Sequence, residues 1–204
     1  MFIELIDLLR CTRPHEDSWL VAAFYEMHER HVLEGLLSCP VCNARYPIAQ
    51  GVAWFDVTPG TASNAARARA DDGVKAAAYL NLVEPGIVLL EGGWAGAADL
   101  LAGLGNTVIA FNSPDIATTT RVSRVRCDGI VPLARECLDG AALDTAEPAM
   151  VESGARALKS GARMVAPAEA ALPAGLVELA RDDRYWVAAR EGGSASAPVQ
   201  IARR

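Results

Sequence analysis

Val88-Leu89-Leu90-Glu91-Gly92-Gly93-Trp94-Ala95-Gly96-Ala97 is an apolar run that ends on an acid, turns through glycines and continues into alanine-rich chain. A strand, a glycine turn and a helix start in that order let the backbone approach a ligand without side chains in the way. The helix N-terminus then favours negative or polar ligand groups. The glycine pattern is incomplete: in every register, alanines or Trp94 replace at least one expected glycine.

Working outward, the chain from Gly86 onward alternates apolar strands with helices, the signature of a largely parallel sheet. Strands are expected over 87–91, 107–112, 122–127, 141–144 and 162–166, and helices over 97–104, 149–159 and 176–181. The end differs, because 185–190 and 198–202 flank a Gly-Gly-Ser turn and read as a closing antiparallel hairpin. The connection after the second strand is short and contains Thr118-Thr119-Thr120, and the segment 128–139 carries Pro132. Neither suits a crossover helix. A parallel sheet needs both faces covered, so the N-terminal segment or a second subunit is expected to fill the gap.

The 204 residues, 51% hydrophobic and 22% charged, can bury a core of one large or two small domains. A net charge of -6 argues against a broad phosphate-binding surface, leaving room only for a local basic patch. The acid-bearing start Met1-Phe2-Ile3-Glu4-Leu5 lacks the marks of a secretory signal, and no run reaches the about 18 apolar residues of a membrane helix. A cytoplasmic protein is the simplest expectation. In that compartment the five cysteines read as ligands or buried thiols rather than disulfides, with Cys127 and Cys137 as plain buried thiols.

Residues 1–57 form a separate compositional unit holding all three histidines and three of the five cysteines. An opening apolar helix, strands over 19–25 and 31–37, and a last strand over 51–55 frame Cys39-Pro40-Val41-Cys42. Two thiolates three positions apart can grip one tetrahedral metal, and Cys11 supplies a third ligand. His15, four residues on, reaches the same ion, while Glu16 and Asp17 are weaker donors. Two other readings of the turn stay open: a metal-free ribbon resting on its apolar core, and a redox dithiol, which ordinarily starts a helix after a strand. His28 and His31 fall at a hairpin tip. Residues 58–82 read as a linker with a connecting helix, and 83–204 as the second domain.

The opening Leu-Leu-Arg-Cys11, the Cys39-Pro40-Val41-Cys42 knuckle and the closing Tyr46-Pro47-Ile48-Ala49-Gln50-Gly51-Val52 resemble the Trm-type zinc-ribbon activator of tRNA, ribosomal and release-factor methyltransferases. That resemblance implies structural zinc on Cys11, His15, Cys39 and Cys42, and an apolar surface that docks on a methyltransferase. Residues 65–204 resemble a class I S-adenosylmethionine methyltransferase. The resemblance implies a Rossmann-like α/β fold behind a small β-rich ribbon, with Glu91, Gly93, Asn112 and Asp128 toward the cofactor; Asn112 stands where a second acid is usual. Asp144-Thr145-Ala146-Glu147-Pro148 lacks the Asp-Pro-Pro-Tyr signature of amino methyltransferases, leaving Asp144 and Glu147 to orient an acceptor.

Two functions follow. The damaged glycine turn, Asn112 and the trimmed helices favour a non-catalytic scaffold that binds a protein partner, either a methyltransferase or a second copy. The alternative is an active methyltransferase carrying its activator in cis. A dinucleotide oxidoreductase fits less well, since Gly-x-Gly-x-x-Gly is absent.

Overall fold

The computed structural model describes residues 1–60 and 72–192. The chain opens with a short 3-10 helix, Ile3–Leu8, followed by four strands: β1 (Val21–His28), β2 (His31–Ser38), β3 (Arg45–Ala49) and β4 (Val52–Phe55). Each pairs antiparallel with the next, and His28 faces His31 across the first turn, so both histidines sit at a hairpin tip as expected. His28 is exposed and His31 half-buried.

After α1 (Asp72–Leu80) come β5 (Ile87–Glu91), a 3-10 helix Gly92–Ala97, α2 (Ala98–Gly103), β6 (Thr107–Phe111), β7 (Val122–Cys127) and β8 (Leu138–Ala142). The chain continues through α3 (Pro148–Ala157), β9 (Leu158–Pro167), β10 (Leu176–Arg181) and β11 (Tyr185–Arg190). Among the described residues, eleven strands join one sheet in the order β1-β2-β3-β4-β7-β6-β5-β8-β9-β11-β10. From β7 to β9 the pairs are parallel, and β11 lies antiparallel between β9 and β10. Counting from β5, the parallel strands stand in the 3-2-1-4-5 order of a doubly wound Rossmann-like sheet.

β5 and β6 are mostly apolar and buried at every residue after the first, because both faces are covered. One face carries α1, the 3-10 turn and α2, through Ala76, Leu80, Trp94 and Leu101. The other carries α3 and the N-terminal segment. The loops 112–121 and 128–137 contain no helix, and Met1, Leu5 and Leu9 enter the same core as Val125, Cys127 and Leu138. Backbone bonds fix that cover: Arg10 N–H donates to Pro132 O at 2.9 Å and Ala134 N–H to Leu8 O at 2.8 Å. The chain's own start therefore fills the gap left by the missing crossover helices.

β4 pairs parallel with β7, from Val52 beside Arg124 to Phe55 beside Cys127. The N-terminal meander and the Rossmann-like strands thus share one sheet and one core.

Several expected elements differ. The strand expected over 141–144 is β8, Leu138–Ala142, three residues earlier at its start. Residues 176–181 form strand β10 rather than a helix. Leu176 and Leu179 have helical spacing, but β11 offers a free edge and Leu176 is the only residue of the strand that is buried. The closing hairpin is accordingly made by β10 and β11, while 198–202, expected as its second strand, lies outside the described residues. The expected helix and linker over 58–82 are described only at 58–60 and from Asp72 on. No helix among the described residues is long and apolar enough to cross a membrane.

Candidate metal centre and carboxyl-edge site

Cys39 and Cys42 lie in the turn between β2 and β3, closed by Cys39 N–H to Ala44 O at 2.9 Å and Asn43 N–H to Cys39 O at 3.0 Å. Cys11 follows the Arg10–Trp19 bridge, which brings the N-terminal strand of chain across to the turn. The ligand atoms of Cys11, His15, Cys39 and Cys42 all fall within 4.8 Å of one another and could hold a metal ion. Cys11 Sγ is 3.6 Å from Cys42 Sγ, and His15 Nε2 is 3.2 Å from Cys11 Sγ and 3.4 Å from Cys39 Sγ. Zinc bond lengths of about 2.3 Å to sulfur and about 2.0 Å to nitrogen give tetrahedral edges of about 3.8 and about 3.5 Å, which these separations fit. All four sequence-expected ligands are together, and Glu16 and Asp17 are outside the cluster.

The surroundings suit ligation. His15 Nδ1 lies 2.6 Å from Glu16 O, so an Nδ1–H donated there leaves the Nε2 lone pair for a metal. That carbonyl, then Cys42, raises the His15 pKa. Burial opposes the Cys39 thiolate, yet the amides of Cys42 and Val41 and the neighbouring thiols outweigh it and bring Cys39 down to about 6. Burial raises Cys11.

Tyr46, quoted in the sequence only as part of the Tyr-Pro-Ile segment, is the residue the sequence reading missed. Its hydroxyl lies 3.1 Å from Cys11 Sγ, accepts Thr12 N–H at 3.2 Å and sits 2.9 Å from Thr12 Oγ1. Burial, then Cys11, pushes Tyr46 up to about 12, so its hydroxyl stays protonated and able to donate to a Cys11 thiolate. Tyr46→Phe is expected to weaken metal retention about 10–100-fold in chelator competition, the usual loss when a ligand's hydrogen-bond partner is removed. An unchanged chelator midpoint would remove Tyr46 from the site.

The second cluster lies at the carboxyl ends of the parallel strands. Glu91 ends β5, Asn112 follows β6, Asp128 follows β7, Asp144 follows β8, and Glu147 precedes α3. The fold brings all of them to one edge. Glu91 is 8% exposed and its Oε2 accepts Asp144 N–H at 2.6 Å. Asp144 Oδ2 accepts Gly93 N–H at 3.1 Å. Gly92 has φ +61, and a Cβ there would stand 2.9 Å from Asp144 Cβ, so this position requires glycine.

The remaining residues are partly committed elsewhere. Trp94 is 4% exposed, donates Nε1–H to Leu143 O at 3.1 Å and meets Tyr185 at 5.2 Å between ring centroids. The chain coils into a 3-10 helix immediately after Glu91, where an open glycine loop is the expectation. Asn112 Oδ1 accepts Cys127 N–H at 3.0 Å and its Nδ2 donates to Cys127 O at 2.8 Å, stapling β6 to β7. Asp128 and Glu147 are exposed. Cys127 and Cys137 are buried free thiols, raised by that burial to about 12 and about 11.

Burial, with Asp144 close by, raises Glu91 to about 7 from 4.5. The native state then holds a proton that the unfolded chain releases between about pH 4.5 and 7, so stability falls as pH rises through that window. The full penalty applies above pH 7 and amounts to at most about 3 kcal/mol. Glu91→Gln keeps the acceptor for Asp144 N–H and is expected to stabilise the protein by about 1–3 kcal/mol at pH 8 but not at pH 4.5. Denaturant midpoints at the two pH values check this, and parallel pH profiles for both proteins would refute it.

No family model matches this sequence, and no curated protein does. Among solved structures, a Burkholderia thailandensis 1,6-didemethyltoxoflavin-N1-methyltransferase with bound 1,6-didemethyltoxoflavin and S-adenosylhomocysteine is 14% identical. It matches with TM-score 0.44 over 60% of this chain and 77% of its own. A geranyl diphosphate methyltransferase in complex with SAM is 14% identical, with TM-score 0.38 over 48% of each chain. Similarities this distant do not assign a function, which rests on the residues themselves.

Proposed function

We propose that this chain is an S-adenosylmethionine-dependent methyltransferase that carries its zinc-ribbon activator within the same polypeptide. The observation behind it is the switch point of the sheet. β5 has β6 on one side and β8 on the other, both parallel to it, and Glu91, the Gly92–Gly93 turn and Asp144 meet at their carboxyl ends. In open α/β sheets, ligands bind in the crevice outside that point.

Glu91, Gly93, Asn112 and Asp128 would face the cofactor, and Asp144 and Glu147 the acceptor. The bound cofactor supplies an activated methyl group. The chain's part is to align the acceptor and exclude water, which needs few reactive side chains. Zinc on Cys11, His15, Cys39 and Cys42 is structural in this reading, and the β4–β7 pairing is the activator's docking contact made in cis. The protein acts in the cytoplasm.

One observation favours a second reading, a scaffold without catalysis. Asp144 already occupies the space over Gly92 and the Gly93 amide, and the Asn112 amide is bonded to the Cys127 backbone. A scaffold's partner, a methyltransferase or a second copy, would meet the free edge strand β1, where Val21 and Tyr25 are 62% and 69% exposed.

Calorimetric titration of S-adenosylmethionine into metal-quantified protein separates the two. Saturable binding that Glu91→Ala abolishes supports the enzyme. No binding to the unaltered protein overturns it and leaves the scaffold.

A further inference from the structure

A cleft of about 200 Å³ opens between the ribbon's first loop, the 130–135 loop and α3. Four arginines reach it from three parts of the chain: Arg10 and Arg13 beside Cys11, Arg135 from the loop after β7, and Arg156 from the last turn of α3. Among the described residues, Asp17 is the only carboxylate in the lining. Such a concentration runs against a protein of net charge -6, so composition alone does not produce it.

The four cations are not all neutralised. Arg13 pairs with Asp56 at 2.7 Å and Arg135 with Asp17 at 3.4 Å. Arg10 spends Nη1–H on the carbonyls of Asp7 and Leu9, both at 2.8 Å, and lies over the Trp19 ring at 5.4 Å. Those bonds hold its guanidinium in place without cancelling its charge. The Arg156 guanidinium makes no hydrogen bond or ion pair among the described residues, so two positive charges in the cleft lack a carboxylate.

We propose that this cleft binds the oxyanion group of a small molecule, a phosphate or a carboxylate, between Arg10 and Arg156. Guanidinium groups match both anions in charge and in forked donor geometry. A fixed Arg10 loses little freedom on binding, and the concave, polar walls suit a compact group. A nucleic-acid strand is disfavoured, because Glu16 and Asp17 follow His15, Glu136 follows Arg135, and Glu152 lies one turn before Arg156. The ligand would touch both the ribbon and α3, linking the two parts from the face opposite α1 and α2.

The test uses the full, metal-loaded chain at constant ionic strength. Inorganic phosphate and malonate are titrated separately by calorimetry, so the arm that binds identifies the anion class. A saturable one-to-one isotherm is expected with one of them. Arg156→Ala is expected to weaken it about tenfold or more, the range for a hydrogen bond to a charged group, and Arg156→Lys to recover part of the loss. Arg156 is exposed and has no ion-pair partner among the described residues, so the variants should melt with the parent. Absence of saturable binding by either anion overturns the proposal, as does Arg156→Ala binding like the parent. A short RNA that binds more tightly than both anions and depends on Arg156 also overturns it, in favour of a polymer-binding surface.

Discussion

Cys39→Ser is expected to empty the metal centre and lower the melting temperature by about 10–20 °C. Cys39 is 1% exposed, belongs to the main core and carries a thiol brought down to about 6, so a serine hydroxyl in its place is a poor ligand with nothing to replace it. Structural zinc contributes about 10–16 kcal/mol of apparent folding free energy in isolated fingers. Less is lost here, because Leu20, Leu37 and Ile48 keep the N-terminal strands on a core shared with the rest of the sheet. A loss on the order of 5 kcal/mol corresponds to that shift for a domain of this size, at about 2–4 °C per kcal/mol. Elemental analysis and thermal unfolding read the two effects, with Cys137→Ser as the control that leaves metal content intact. Parent protein without bound metal, or a variant melting with the parent, would sink the assignment.

Phe55→Ala is expected to destabilise the protein by about 3–5 kcal/mol, the cost of truncating a fully buried aromatic. Phe55 is 0% exposed, lies opposite Cys127 in the β4–β7 pair and meets Tyr46 at 4.5 Å between ring centroids. Its cavity would open where the N-terminal strands and the parallel strands share their core, so unfolding should stay a single transition, displaced as a whole. Val177→Ala, on the exposed edge strand β10, should move stability by no more than about 0.5 kcal/mol. Two separable transitions, with only one displaced by Phe55→Ala, would show that the N-terminal strands and the parallel strands unfold independently.

The sequence disclosed the elements whose physics is local. β5 and β6 are nearly continuous apolar runs because both faces of a parallel sheet are covered, and such runs are visible in one dimension. The four metal candidates were legible because thiols and imidazole have few other reasons to cluster at that spacing. β10 was misread since an edge strand buries almost nothing, and with Leu176 alone inside, no period distinguishes strand from helix. Tyr46 joins the candidate metal cluster through a contact across 35 residues, and Asn112 is committed to Cys127 across 15, neither of which any local pattern encodes. The β4–β7 pairing was equally invisible. Val52-Ala53-Trp54-Phe55 looked like the last strand of a small sheet, although burial of all four residues suits a strand with neighbours on both sides.

That pairing also sets an order of events during synthesis. The β1–β2 hairpin and the metal-binding turn can form as soon as their residues emerge, because their partners are close in sequence. β4 cannot finish, since residues 52–55 must wait for 124–127 to leave the ribosome. Over that interval an apolar strand stands with one edge open, the condition under which chains pair with the wrong neighbour. The nascent chain is therefore most vulnerable to aggregation in the stretch of translation between its fourth strand and its seventh.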